Sequence, residues 1–311
     1  MALETTRSVS NDPAASRVKP AKSPSLWKHS WRRLRKNKLA MFGLVFIIFM
    51  FIFCFIGPLF SPYTNGNTDI LNMKKAPSAS HWLGTDLVGR DVLTRLMQAG
   101  QISLTIGIVS MILTVIIGGG LGVISGYYRG FVDLVIMRLA DILMSIPSLP
   151  LLIIMGAIMT EWKVPPEYRI YIVMIMLSIL GWPSLARLVR GQILSLRERE
   201  FMQAAESLGL RDYRKMFYHL LPNTLPMLIV VCTLTVGGAI LSESALSYLG
   251  VGVGPTTPSW GKMIDLANNL MDFQKRPWLW IPPGLAVFLT VISINLLGDG
   301  LRDALDPQGN R

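Results

Sequence analysis

Six stretches without a charged residue dominate the sequence. They are residues 39–68, 96–128, 142–160, 170–186, 220–242 and 277–298. A helix needs about 20 apolar residues, at a rise of about 1.5 Å each, to cross the hydrocarbon core of a bilayer. Each stretch can hold one such helix, although the fourth is short enough that Arg187 must extend its charged end to the interface. The sequence therefore predicts an all-α polytopic membrane protein with six transmembrane helices.

The composition supports a membrane protein and argues against a soluble one. Of the 311 residues, 51% are hydrophobic and only 16% are charged, and the mean hydropathy is +0.45. Soluble domains carry about a quarter of charged residues. The formal charge of +11 could indicate nucleic acid, but the basic residues lie beside the apolar stretches, where they mark the cytoplasmic side. We therefore expect membrane lipid, and no nucleic acid, around this chain.

The basic residues also predict the topology. Residues 1–38 contain ten Lys and Arg against Glu4 and Asp12, so the N-terminus should stay in the cytoplasm, and six spans return the C-terminus to the same side. Trp31 and Leu34, with Trp27, can seat a short basic helix on the membrane surface, or the charges can serve orientation alone. The Ser- and Pro-rich residues before them are predicted to be disordered, and no cleaved signal peptide is expected.

We divide the chain accordingly. The predicted segments are a basic cytoplasmic tail (1–38), a first transmembrane helix (39–60), an extracytoplasmic segment (61–100), a core (101–300) with spans at about 101–126, 132–160, 168–189, 222–249 and 279–299 and a cytoplasmic loop at 190–221, and a cytoplasmic C-terminus (301–311). Within the extracytoplasmic segment, Asp86 is predicted to cap a helix that runs to about Met97.

Residues 200–223 form the one long charged insert in the second half of the chain. Phe201, Ala204, Ala205 and Leu208 recur at helical spacing and predict a short amphipathic helix with an apolar stripe. Gly209 stands where a left-handed residue would end that helix. A second short helix should follow until Pro222, whose ring and missing N–H disfavour continuation. The insert is too charged to cross a bilayer and should lie at the membrane surface, facing water.

The pattern of this insert resembles the EAA loop of ABC importer permeases, the cytoplasmic coupling helix that docks into an ATP-binding subunit. The family's glutamate is replaced here by Gln203. The resemblance assigns ATPase coupling to Gln203, Ala204, Ala205, Gly209, Leu210, Arg211 and Pro222.

Other stretches are similar to the C-type permease of dipeptide and oligopeptide ABC importers and of the related nickel importers, over roughly residues 25–307. They are His81-Trp82-Leu83-Gly84-Thr85-Asp86 with Gly89-Arg90-Asp91, Pro258-Ser259-Trp260-Gly261, and the segment from Asn295 to Asp303. The resemblance implies the type I importer membrane domain in a bacterial or archaeal plasma membrane. The chain would form half of a translocation path for peptides; a nickel or other small solute remains an alternative, and a secondary transporter a more distant one.

The same resemblance implies the partners. They are a homologous B-type permease, two ATP-binding subunits that hold ATP and Mg²⁺, and an extracytoplasmic solute-binding protein. No cofactor, metal or catalytic residue is expected in this chain. Gly118 and its neighbours superficially suggest a nucleotide loop, but no lysine follows. Gly118, Gly122 and Gly126 instead have the four-residue spacing of a face that lets helices approach closely in lipid.

Ionisable residues in or near the spans are costly and call for a role. Glu243, among serines in the fifth span, is predicted either to line the translocation path or to brace a helix. Arg138 and Asp141 stand three residues apart and can pair with each other. Asp299 ends the last span and can pair with Arg302 or with Arg311.

Overall fold

The computed structural model describes residues 26–64, 66, 68–254 and 256–305, and these are helical apart from their connections and one isolated antiparallel bridge between Thr85 and Asp91. Residues 1–25, on which the predicted disorder and the expected absence of a cleaved signal peptide fall, and Arg311, the second predicted partner of Asp299, lie outside this range. The helices are α1 (Leu26–Lys36), α2 (Lys38–Phe60), α3 (Val92–Tyr128), α4 (Gly130–Ser145), α5 (Ser148–Glu161), α6 (Pro166–Arg197), α7 (Glu200–Ser207), α8 (Asp212–Tyr248), α9 (Trp260–Asp265), α10 (Leu270–Lys275) and α11 (Ile281–Leu305).

Five helices of the described chain are long and apolar enough to cross a membrane, namely α2, α3, α6, α8 and α11. The helices α4 and α5 pass the same test together, which gives six spans if this pair counts as one. In a bilayer a helix satisfies all of its backbone hydrogen bonds internally, so an all-helical chain is the form these apolar stretches require. The predicted all-α membrane fold is confirmed.

The third span departs from the continuous helix predicted for residues 132–160. The structure bends by 80° between α4 and α5. Pro147 follows Ile146, which adopts an extended conformation with φ −87° and ψ 125°. The proline ring disfavours a helical residue before it, so the Ile146-Pro147 pair accounts for the break.

The helix that contains the second span, α3, begins at Val92, before residue 101, the predicted start of the span. Asp91 is the N-cap of α3 and accepts a hydrogen bond from the Thr94 backbone N–H at 2.8 Å. Asp86 therefore does not cap this helix as predicted; its carboxylate accepts from the backbone N–H of Arg90 and from the guanidinium of Arg95, at 2.9 and 2.8 Å. The 37 residues of α3 span about 55 Å, so the helix extends beyond the bilayer core.

The helix α3 packs closely along α6. A methyl group added at Gly118 would lie 2.8 Å from the carbonyl oxygen of Trp182, and one added at Gly122 would lie 2.6 Å from that of Ala186. At Gly126 it would lie 2.8 Å from Cβ of Ile193. These three glycines, which we call the glycine seam, leave no room for a side chain between the two backbones.

The last helix, α11, lies between α2 and α8. Gly298 faces the Thr233 hydroxyl of α8, and Gly300 faces Ala40 of α2 and Leu34 of α1. Leu34 is buried together with Ala40 and Ala304. The basic helix α1 is thereby fixed to the end of α11.

Substitution in the glycine seam should destabilise the bundle. The change Gly122→Ala forces α3 away from α6 and should cost about 1–3 kcal/mol, as overpacking does in other cores. Gly120→Ala is the matched control, because nothing lies within 4 Å of the added methyl group. Heating of the purified protein in detergent, followed by size-exclusion chromatography, should show a lower midpoint for Gly122→Ala only. Equal midpoints for the two variants would contradict the seam.

Candidate functional site

The loop predicted at 190–221 contains the short helix α7, and a glycine follows at its C-terminal end. The helix α7 ends in a left-handed residue, Gly209, with φ +64°. The N–H of Gly209 bonds the carbonyl of Glu206 at 2.9 Å, and the N–H of Leu210 bonds that of Ala205 at 3.1 Å. This pair of bonds is the Schellman motif, which satisfies the last carbonyls of a helix. The glycine stop that the sequence predicts is confirmed.

The face of α7 that packs on the spans differs from the predicted stripe. Met202 and Ala205 are buried, at 0% and 4% exposure, whereas Phe201 and Leu208 are exposed. Met202 belongs to a core cluster with residues of α3, α6 and α8. The apolar residues lie on one side of α7, as predicted, but the bundle covers only the edge of that side at Met202 and Ala205. The spacing alone does not show which part of an apolar face is buried.

The proposed coupling residues therefore fall into two groups. The exposed ones are Gln203, Ala204, Gly209, Arg211 and Pro222, and Leu210 is half-buried. Ala205 points into the chain, so a bulky residue there would overpack this protein's own core. Ala204 is the position at which a contact with another molecule can be tested.

Pro222 does not end a helix, contrary to the prediction. The helix α8 runs from Asp212 to Tyr248 and contains a π-helical segment at Lys215–Leu220. A π-helical segment adds a residue to the turn and changes the hydrogen-bond pattern. Pro222 stands in the first turn after this segment, where a missing N–H is tolerated, so the helix continues past it.

Tyr127, near the end of α3, fixes the loop to the spans. Its hydroxyl donates to Asp212 at 2.6 Å, and its backbone carbonyl accepts from Arg197 at 2.6 Å. The guanidinium of Arg197 and the ammonium of Lys215 lie 5.3 and 5.7 Å from the centre of its ring. Hydrogen bonds to charged groups and cation–π contacts of this kind position a segment firmly. The sequence reasoning missed Tyr127, although a tyrosine at the end of an apolar stretch is a recognisable signal.

Ion pairs join α4 to α6 at the end of the bundle that carries the loop. Arg190 of α6 donates two hydrogen bonds of 2.6 Å to Asp133 of α4. Asp141 pairs with Arg187 at 2.6 Å. The predicted pair of Arg138 and Asp141 is therefore wrong: the guanidinium from the adjacent helix α6 reaches the carboxylate instead.

The outer surface of the loop is apolar and basic. Leu208, Tyr213 and Tyr218 are 78%, 67% and 76% exposed. Gly209 and Tyr218 line an open concavity together with Arg211 and Arg214. Large apolar side chains exposed next to each other mark an interaction surface.

Glu243 lies elsewhere, toward the opposite end of α8, and is completely buried. Its carboxylate accepts hydrogen bonds from the hydroxyls of Ser103 of α3 and Ser247, at 2.8 and 2.7 Å. The Ser103 oxygen in turn accepts from the backbone N–H of Trp260 at 3.2 Å. The ring of Trp260 is buried as well and donates to the carbonyl of Leu96 at 3.2 Å.

These contacts tie the segment before and within α9 to α3 and α8. Gly261 packs on the backbone of Ser244, and Gly252 packs on Ser247. Of the two interpretations of Glu243, the geometry supports the brace, since its carboxylate is fully buried and accepts hydrogen bonds from the hydroxyls of Ser103 and Ser247. Ser103 and Trp260 stand 140 and 17 residues from Glu243 in the sequence, which is why the sequence did not reveal them.

Comparison with known proteins shows the class to which this helical bundle and its loop belong. The family described as "Binding-protein-dependent transport system inner membrane component" matches residues 118–309, and the "N-terminal TM domain of oligopeptide transport permease C" matches residues 25–77. The chain belongs to this family of ABC importer permeases, and is a multi-pass membrane protein.

Individual relatives cover nearly the whole chain. The oligopeptide transport system permease protein OppC of Bacillus subtilis is 40% identical over 96% of both chains. The dipeptide transport system permease protein DppC of Alkalihalophilus pseudofirmus is 38% identical over 96% of this chain and 94% of its own. The glutathione transport system permease protein GsiD of Pectobacterium atrosepticum is 36% identical over 94% of both. The resemblance to peptide permeases is confirmed.

Removal of the Glu243 carboxylate should weaken the fold. In Glu243→Ala the hydroxyls of Ser103 and Ser247 lose a buried acceptor, which should cost about 1–3 kcal/mol. Glu243→Gln keeps one carbonyl oxygen and should retain most of the stability. Yield and thermal midpoint of the purified complex, measured with solute uptake, separate stability from transport. Full stability of Glu243→Ala together with lost uptake would show that Glu243 serves transport rather than bracing.

Proposed function

We propose that this chain forms half of the translocation path of an ATP-driven importer, and that its loop couples the path to a separate ATP-binding subunit. The observation that carries the proposal is the two-sided placement of α7. Met202 and Ala205 are buried against the spans, while Gln203, Ala204 and Leu208 face outward. A partner that pushes on the outer face therefore moves helices that cross the membrane.

The chemistry of the outer face suits a protein partner. Small residues allow a close approach at Ala204 and Gly209, and the tyrosines and arginines around the concavity are residue types enriched at interfaces. The partners proposed are two ATP-binding subunits, which hold ATP and Mg²⁺, a homologous B-type permease and an extracytoplasmic solute-binding protein. The chain itself contributes no catalysis: it supplies contacts that differ between an inward-open and an outward-open state.

Peptides are the proposed solute. The relatives are named for oligopeptides, dipeptides and glutathione, which is itself a peptide. We place both termini in the cytoplasm, because the basic helix α1 lies next to the end of α11. That end is on the side of the loop, since Arg302 lines one groove with Gln192 and Asn223. This orientation follows the rule that basic residues accumulate on the cytoplasmic side.

A charge at Ala204 should uncouple the transporter. Ala204→Arg leaves the buried face of α7 unchanged but inserts a long cation into the proposed contact, so peptide-stimulated ATP hydrolysis should fall about tenfold, or about 1.4 kcal/mol. Ala204→Ser, which keeps a small side chain at the same position, is the matched control and should behave like the parent.

The measurement uses the complex of both permeases and both ATP-binding subunits, reconstituted in vesicles with the solute-binding protein. Co-purification of the ATP-binding subunits and peptide uptake are recorded with the ATPase rate. If Ala204→Arg retained the subunits, the stimulation and the uptake, α7 would not be the coupling helix.

A further inference from the structure

The last helix exposes three polar side chains on one face. Asn295, Asp299 and Arg302 stand at i, i+4 and i+7 of α11, and all three are exposed. We call them the polar stripe. Toward the N-terminal end of α11, the exposed side chains on the same face are apolar, namely Phe288 and Ile292. The spacing places all five residues along one line of an α-helix.

The other faces of α11 are occupied by this chain. Gly298 and Gly300, between the residues of the polar stripe, pack on α8 and on α2. A methyl group added at Gly237 of α8 would lie 3.4 Å from the side-chain oxygen of Asn295. The polar stripe is thus beside α8 but not covered by it.

No ion pair or hydrogen bond joins Asp299 or Arg302 to another side chain within residues 26–64, 66, 68–254 and 256–305. The predicted pair of these two residues is therefore absent from the described structure. A charged side chain toward lipid is costly, and residues of this kind in spans face protein or a wet cavity.

The polar stripe borders a groove between three helices. The groove has a volume of about 690 Å³ and is lined by Gln192 of α6, Asn223, Met227 and Leu234 of α8, and Arg302 of α11. Its walls are mostly apolar, and its polar groups are two amides and one guanidinium. The side-chain N–H of Asn223 donates to the carbonyl of His219 at 2.6 Å, so its side-chain carbonyl oxygen can accept from a solute.

We propose that the polar stripe, with Gln192 and Asn223, lines the cytoplasmic half of the solute path and contacts a zwitterionic peptide in transit. A dry protein contact would have to remove water from both Asp299 and Arg302, at a high desolvation cost. In a wet path water satisfies both. A peptide offers backbone amides to the amide side chains, a carboxylate to Arg302 and an ammonium to Asp299, while the apolar walls accept varied side chains.

This inference rests on the proposed function and assigns particular residues to the solute path. It also moves the path away from Glu243, whose carboxylate is enclosed within the chain. The contacts are few and separated along the helix, which suits a solute that must leave as readily as it enters.

Chemical labelling at position 295 tests directly whether the polar stripe lines a water-filled path. Asn295→Cys is made in a chain with Cys54→Ala and Cys232→Ala, assembled into the complete complex in vesicles. A positively charged methanethiosulfonate reagent applied from the cytoplasmic side should label this cysteine in the absence of nucleotide. The rate of labelling should fall when ATP and vanadate hold the complex in another state. Labelling should reduce peptide uptake about tenfold. Val45→Cys is the control, since Val45 is 60% exposed on the apolar surface of α2 and should not react.

Absence of labelling at Asn295→Cys in both states overturns the inference, because it places the polar stripe against lipid or the second permease. Asp299→Asn and Arg302→Gln provide a second measurement and should each raise the KM for peptide uptake about fivefold, with the ATP-binding subunits retained. Arg138→Gln, an exposed arginine of α4, should leave the KM unchanged. Parental KM values in both stripe variants also overturn it. If the parent complex itself took up no peptide with ATP, the proposed function would fail instead.

Discussion

The close contact between α3 and α6 determines where the functional loop stands. Three glycines of α3 face α6 without a side chain between them, and Tyr127 follows Gly126 directly. In lipid, helices gain little from burying apolar surface against each other, so close packing and polar contacts hold them together. The glycine seam therefore sets the depth at which the Tyr127 hydroxyl meets Asp212. The contacts of Tyr127 with Asp212, Arg197 and Lys215 depend on that position.

This arrangement gives the loop two distinct faces. Met202 of α7 belongs to one core cluster with residues of α3, α6 and α8, so that α7 is packed directly onto three spans. Its other face meets no part of the described chain. A rigid connection on one side and an open surface on the other are what a transmitting element needs, since an energy source acts on an equilibrium only through contacts that differ between two states. At the opposite end of α8, Glu243 and Ser103 fix the segment around Trp260 in the same manner.

The sequence predicted those features that rest on local chemistry. Charge-free stretches predicted the spans, and Gly209 predicted the helix stop, because hydropathy and backbone conformation are properties of neighbouring residues. It did not predict which face of α7 is buried, since the apolar side of this helix is broad and only its edge at Met202 and Ala205 meets the bundle. The Ile146-Pro147 pair is a local signal for the break between α4 and α5, but the prediction of one continuous helix did not take it into account. Ser103, which bonds Glu243, and Arg187, which pairs with Asp141, come from other helices, so only the fold brings them together. The polar stripe also depends on the fold, because the neighbours of α11 decide which of its faces stays open.

Contact between this loop and an ATP-binding subunit is the central claim, and a photocross-link at Leu208 tests it most directly. A benzoylphenylalanine at this exposed position, in the complete complex, should cross-link to an ATP-binding subunit on irradiation, and the same group at Val45 should not. The account predicts one cross-linked species that contains this chain and an ATP-binding subunit, with a yield that changes between the nucleotide-free and ATP-bound states. A cross-link from Leu208 to lipid or to the solute-binding protein, with none to an ATP-binding subunit in either state, would contradict it.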